Sequence, residues 1–207
     1  MEIKQKSFFI LFFLIYIITG CKQSLSPIEY INYVETESSG LKKINQTDWI
    51  KYTLQYNPPK YYLMKKILNP ELMQNITEEH FDSLAEGYSD LYFFDLKIEN
   101  IENSKPLLQN RIENEYKYYE RLNYFIAGAE NSINIKMNSD STPCVLYHFE
   151  RTFDIVPYLT LNFGFKAKNI SDKTEFRVAF DDRVLGTGRQ EFVFKISDLK
   201  KIPDLKI

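Results

Sequence analysis

Several stretches of two-residue alternation constrain this chain more than any other feature. After Pro157, Leu159, Leu161, Phe163 and Phe165 fall on one side of the backbone. Tyr92, Phe94, Leu96 and Ile98 do the same, with Asp95 and Lys97 between them. Phe176, Val178 and Phe180 resume the pattern, as do Phe192, Phe194 and Ile196. Successive side chains of a strand point to opposite faces, so each stretch reads as a strand with one buried face. Ile50, Tyr52, Leu54 and Tyr56 fit the same template before Pro58-Pro59, and SINIKM and CVLYHFER add further short strands. The last eighty residues thus predict an antiparallel sheet or sandwich.

Helical signals lie mainly in the middle of the chain. Thr77 is placed to cap a helix over 78–86, with Glu78 and Glu79 in its first turn and Gly87 beyond its end. Leu108, Ile112, Tyr116, Tyr119 and Leu122 recur at helical steps and predict a second helix over 105–124. On that spacing Tyr116 and Tyr119 face the core, while Tyr118 and Tyr124 are the more exposed pair. Residues 61–68 read as a shorter helix stopped before Pro70. The expected class is α+β, a C-terminal antiparallel sheet or sandwich packed with two helices. Residues 31–207 form one globular domain, with a mixed part at 31–130 and a β-rich part at 131–207.

The opening MEIKQKSFFILFFLIYIITGCKQSLSP has another logic. Lys4 and Lys6 precede an apolar run from Phe8 to Ile18, and small Gly20 stands before Cys21. The run has the length of a secretory signal core, about 7–15 residues, and falls short of the roughly 20 needed to span a bilayer. Ile18-Thr19-Gly20-Cys21 resembles the lipobox of bacterial lipoproteins. That resemblance implies a signal peptide at 1–20, cleavage between Gly20 and Cys21, and a diacylglyceryl group on the Cys21 thiol. It covers only the first tenth of the chain. Residues 21–30 then read as the lipidated cysteine and a short tether, Pro27 discouraging helix. Two acyl chains suffice for stable attachment, so the membrane is the expected partner through lipid on Cys21. Lys22 occupies the place where Asp marks inner-membrane retention in some enteric lipoproteins, which directs the expectation to the outer membrane of the cell envelope.

Removing residues 1–20 leaves 187 residues with 24 basic and 27 acidic side chains, a net charge of −3. No basic stripe appears, so nucleic acid is not an expected partner. Cys144 is the one thiol besides Cys21, so the core must hold the domain without an internal disulfide.

Candidate chemistry is sparse. Cys144, His148 and Glu150 would share one face of a strand, yet Cys144 and His148 would stand about 13 Å apart at about 3.3 Å per residue. That separation favours a buried structural cysteine and a His148–Glu150 pair over a nucleophile or metal site. His80 lies far off in the sequence. Asp181-Asp182-Arg183 and Gly186-Thr187-Gly188 read as a turn, with Asp181 and Asp182 as a weaker candidate for acid–base or calcium chemistry. GTG lacks the spacing and lysine of a phosphate loop, and neither cofactor nor metal is expected. Glu150-Arg151 and Arg177 read as charges on a solvated sheet face. The expected role is that of an envelope lipoprotein with a non-catalytic binding or accessory task toward a protein or polysaccharide. The alternative is an envelope polymer hydrolase acting through Glu150, Asp181 or Asp182.

Overall fold

The computed structural model describes residues 24–67, 76–137, 140–166 and 174–207. The signal segment, the lipobox with Gly20 and Cys21, and the turn expected at 169–172 lie outside the described residues. The chain is an α+β protein built on two antiparallel sheets. Five strands make the larger sheet, in the order β2 (Lys42–Gln46), β3 (Ile50–Asn57), β4 (Leu91–Asn100), β8 (Tyr158–Lys166), β7 (Leu146–Glu150). The smaller sheet runs β10 (Arg189–Lys195), β9 (Glu175–Asp181), β5 (Ile133–Met137), β6 (Asp140–Pro143). A parallel clip pairs β1 (Ser24–Leu25) with β11 (Asp204–Leu205), so the chain enters and leaves at one end.

The alternating residues make the core. Tyr56, Phe94 and Phe163 lie side by side across β3, β4 and β8, with Leu54, Leu96 and Leu161 in the next row. Their side faces Phe176, Val178, Phe180, Phe192 and Phe194 of the smaller sheet, all buried. The ring of Phe94 stands 5.4 Å from Phe194 and 6.3 Å from Phe176 across the sandwich. Within its own sheet it meets Phe163 at 5.8 Å and Phe165 at 5.9 Å. Edge-to-face and offset pairs of this kind contribute about 0.5–1.5 kcal/mol each beyond area burial. On one flank the sheets are joined where Asn45 Nδ2 donates to the Glu191 carbonyl at 3.2 Å. On the other flank α4 (Glu115–Ala127) closes the gap, Phe125 packing on Phe149 at 6.0 Å.

Three expectations need correction. The tether does not extend to residue 30: Pro27 opens α1 (Pro27–Glu35). Proline suits the first helical position, where its missing N–H has no partner to lose. The Glu29 carboxylate also accepts from Ser26 N at 3.0 Å and Ser26 Oγ at 2.7 Å. The helix therefore starts six positions after Cys21.

The second helix starts at Glu115, ten residues later than its periodicity suggested. Leu107 and Leu108 are buried in a single 3-10 turn instead, and Arg111 takes φ 53°, which breaks any continuous helix. Asn114 caps the true start by accepting from Lys117 N at 3.1 Å.

The tyrosine faces are exchanged as well. Tyr116 and Tyr119 are exposed, whereas Tyr118 and Tyr124 turn inward and donate to Asp154 Oδ2 at 2.6 Å and to the Asp181 carbonyl at 3.1 Å. Between them Arg121 is buried, its guanidinium donating to the Asn110 carbonyl at 2.6 Å, the Leu108 carbonyl at 3.3 Å and the Val184 carbonyl at 3.2 Å. Desolvation lowers the Arg121 pKa. Polar reach, more than hydrophobicity, chose the inward face. The helix over Glu78–Glu86 (α3) forms as expected, Thr77 Oγ1 accepting from His80 N. The 61–68 segment is α2 (Pro59–Lys66), shifted by two residues.

Phe94→Ala is expected to cost about 3–5 kcal/mol, the range for emptying a buried aromatic site. Urea denaturation followed by far-ultraviolet circular dichroism checks it, and Phe94→Leu should lose less.

Candidate functional site

The outer face of the larger sheet carries the residues that point away from the core. Across its strands runs a polar row, Gln55 on β3, Asp95 on β4, Asn162 on β8 and His148 on β7. Phe93, Gly164 and Leu146 make the neighbouring row on one side, and Lys97, Thr160 and Glu150 the row on the other. Helix α2 lies over this face and stacks Tyr62 on Phe93 at a centroid separation of 3.8 Å. Between α2 and β7 a groove of about 440 Å3 remains, lined by Tyr62, Lys65, Lys66, Asp95, Leu146, His148, Glu150 and Asn162 among others.

Its floor is fixed by hydrogen bonds. Asn162 Nδ2 donates to Asp95 Oδ1 at 2.8 Å, and Lys65 Nζ pairs with Asp95 Oδ2. Lys66 Nζ lies 5.3 Å from the Tyr62 ring centroid. Gly164 allows the approach of its row: a Cβ there would stand 3.5 Å from both Leu146 Cδ1 and Phe93 Cδ1. The lining carries two lysines against two carboxylates, so those four charges balance.

His148 and Glu150 therefore do share a groove, but the other candidates are elsewhere. In place of a His148–Glu150 pair, the register sets His148 opposite Asn162 and Glu150 opposite Thr160. Cys144 is not on the same strand. It sits in the step from β6 to β7, where the chain changes sheets, and its thiol contacts the Glu130 carbonyl at 3.4 Å. It is half-buried, and desolvation first, then nearby Glu130, pushes its pKa up to about 11. His80 stands exposed on α3.

The Asp181–Gly188 turn does not line the groove. Asp182 organises it by accepting from Val184 N at 3.0 Å, Leu185 N at 2.8 Å, Thr187 N at 2.7 Å and Thr187 Oγ1 at 2.8 Å. Asp181 pairs with Arg189 at 2.9 Å. Both carboxylates are thereby engaged as turn formers, with Gly186 and Gly188 supplying positive φ at 78° and 68°. Among the described residues no group of three or more His, Cys, Asp or Glu side chains is placed to hold a metal ion. Nor is any described helix long and apolar enough to cross a membrane.

Two further features escaped the sequence. A cavity of about 570 Å3 at the clip end is lined by Tyr30, Tyr56, Tyr92, Ile196, Leu199 and Asp204 among others. At the opposite end the loop between β7 and β8 exposes Phe153 at 70% and Ile155 at 83%, and α4 exposes Tyr116 at 74% and Tyr119 at 50%. The interruption of alternation between Glu150 and Pro157 was the available signal.

Comparison with protein-family models, with curated proteins and with solved structures gives no match.

The raised Cys144 pKa sets a reactivity. The thiolate is the nucleophile, and raising the pKa from 9.0 to about 11 cuts its fraction at neutral pH on the order of a hundredfold. In the Cys21→Ser chain, alkylation by iodoacetamide at pH 7.5 is expected to be slower than for an exposed cysteine by about that factor. The rate should climb up to about pH 11, and urea should abolish the protection.

Proposed function

We propose that this protein is a lipid-anchored protein of the cell envelope with a non-catalytic binding role, and that the outer-face groove is its ligand site. The observation that carries the reading is the groove itself. A fixed floor of hydrogen-bonding side chains, Asp95 and Asn162, lies between an aromatic wall at Tyr62 and an apolar and polar wall at Leu146, His148 and Glu150. Its volume is in the ordinary range for ligand sites, about 300–1,000 Å3. A balanced set of charges favours a neutral ligand rich in hydroxyl and amide groups, and the Asp95–Asn162 floor offers hydrogen-bonding partners for the hydroxyls of a sugar. A neutral saccharide segment of an envelope polymer is the class of ligand these features fit.

The hydrolase alternative has less support. Asp181 and Asp182 serve the turn, and Asp95 is tied to Lys65 and Asn162. Glu150 alone remains of the carboxylates first considered for it.

Anchoring is supported by the leader and by the position of the clip. Two residues separate Cys21 from Ser24, and the three steps between them span about 10 Å when extended. A lipid on Cys21 would hold the clip end close to the membrane surface.

Two measurements test the reading. Mass spectrometry of the mature amino terminus should find Cys21 carrying a diacylglyceryl group, and an unmodified Cys21 or a retained leader overturns the anchoring. Titration of the purified protein with neutral N-acetylglucosamine oligomers, followed by nitrogen-15 NMR, should shift the signals of His148 and Asn162. His148→Ala and Asn162→Ala should each weaken that binding at least fivefold. No response to the oligomers overturns the proposed ligand class.

A further inference from the structure

We infer that the cavity at the clip end binds a neutral single-chain lipid, its tail on the apolar lining and one oxygen on the Tyr56 hydroxyl. The site is separate from the groove, because Tyr56 and Tyr92 belong to the core face of β3 and β4. Five elements meet there. Tyr30 comes from α1, Tyr56 from β3, Tyr92 from β4, Ala85 from α3, and Leu199 from α5 (Ile196–Lys200). The rings of Tyr56 and Tyr92 stand 5.8 Å apart. The volume of about 570 Å3 lies in the ordinary range for ligand sites.

One polar group in the lining is left unanswered. Tyr56 is only 5% exposed, yet its hydroxyl makes no hydrogen bond among the described residues. A buried tyrosine O–H ordinarily finds a partner, and a buried donor without one is costly. Burial raises the Tyr56 pKa, so the hydroxyl stays a donor. Because Tyr56 lines the cavity, a molecule held there can supply the acceptor.

Charge and position select the occupant. Of the charged residues lining the cavity, Lys60 and Lys200 stand against Asp82, Glu86 and Asp204, and Lys60 is held by Asp82 at 2.7 Å. A carboxylate or phosphate head group gains no net attraction there, whereas an ester carbonyl or a hydroxyl can accept from Tyr56 without adding charge. Ala85, Ile196, Leu199 and Ile202 give an aliphatic tail its apolar contacts. Asp204 also pairs with Ser24 in the clip. On the anchoring reading above, on which this step rests, the cavity therefore lies next to a bilayer that supplies the lipid. The tail is not one of those on Cys21, because stable attachment needs about two chains kept in the bilayer.

The test uses the full lipidated chain in phosphatidylcholine vesicles that contain a monoacylglycerol with a diazirine in its tail. On illumination the label should fall on the peptides around Tyr92 and Ile196–Ile202, and excess unlabelled monoacylglycerol should displace it. Tyr56→Phe should lower this labelling about threefold or more, the worth of one neutral hydrogen bond, without lowering the melting temperature. Leu199→Lys, at a half-buried position, should lower it as well. Label spread over the surface and indifferent to the excess overturns the proposal and leaves water as the partner of Tyr56. Stronger labelling by the matching fatty acid overturns the neutral class. The Cys21→Ser chain should be labelled equally; labelling gained by that change means that an anchor chain filled the cavity, and overturns the free lipid. The anchoring reading is separable: a labelled cavity with an unmodified Cys21 upholds the site alone, and a lipidated Cys21 with an unlabelled cavity upholds anchoring alone.

Discussion

The packing of Phe94 against rings from both sheets is the contact on which the rest of this structure depends. Its ring reaches Phe163 and Phe165 within the larger sheet and Phe176 and Phe194 across the interface. With Cys144 as the one cysteine in the described domain, no internal disulfide shares the task. The alternation that points Phe94 inward must point Phe93 and Asp95 outward, because neighbouring side chains of a strand take opposite faces. The groove is thus a consequence of the core. Asp95 meets Asn162 on the outer face because Phe94 meets Phe163 on the inner one. A slip of one residue between β4 and β8 would exchange the two faces and destroy both.

This coupling explains which parts were legible in the sequence. The strands were read from period two, and β4, β8, β9 and β10 appear where Phe94, Phe163, Val178 and Phe192 placed them. The cap at Thr77 was legible because a hydroxyl and a first-turn acid act within a few residues. The start of α4 was not, because Leu107 and Leu108 are buried by distant elements and owe nothing to helical spacing. The inward face of α4 was set by the reach of Tyr118 to Asp154, 36 positions away, and of Tyr124 to Asp181, 57 away. Those contacts exist only once the sheets have assembled.

The candidate site was legible in pieces. His148 and Glu150 were found from residue type, and their two-residue spacing put them on one face. Their partners Lys65, Asp95 and Asn162 come from three other elements, and strand order alone brings them together. Cys144 was misplaced because the bend that carries the chain from β6 to β7 leaves no period to follow. Asp182 was read correctly as a turn former, and its four accepted hydrogen bonds show why a carboxylate was needed there. Its two oxygens divide the work, Oδ1 accepting from Val184 and Leu185 and Oδ2 from Thr187.

Among the described residues Phe153 and Asp154, like Arg111, hold a positive φ without being glycine. A non-glycine residue held in a sparsely populated backbone region costs on the order of 1–3 kcal/mol, and two stand in succession. Asp154 recovers part of that cost through Tyr118 and contributes a fixed acceptor. Phe153 recovers little, since most of its ring remains in water and hydrophobic burial offers it no return within this domain. Gly40, by contrast, meets a positive φ of 76° with the residue that carries no penalty, next to an Asp198 side chain that would admit no Cβ. Arg111 likewise meets a positive φ of 53° without being glycine, but its guanidinium pairs with Glu102 at 2.7 Å, so among the described non-glycine residues in this region Phe153 keeps the most exposed side chain.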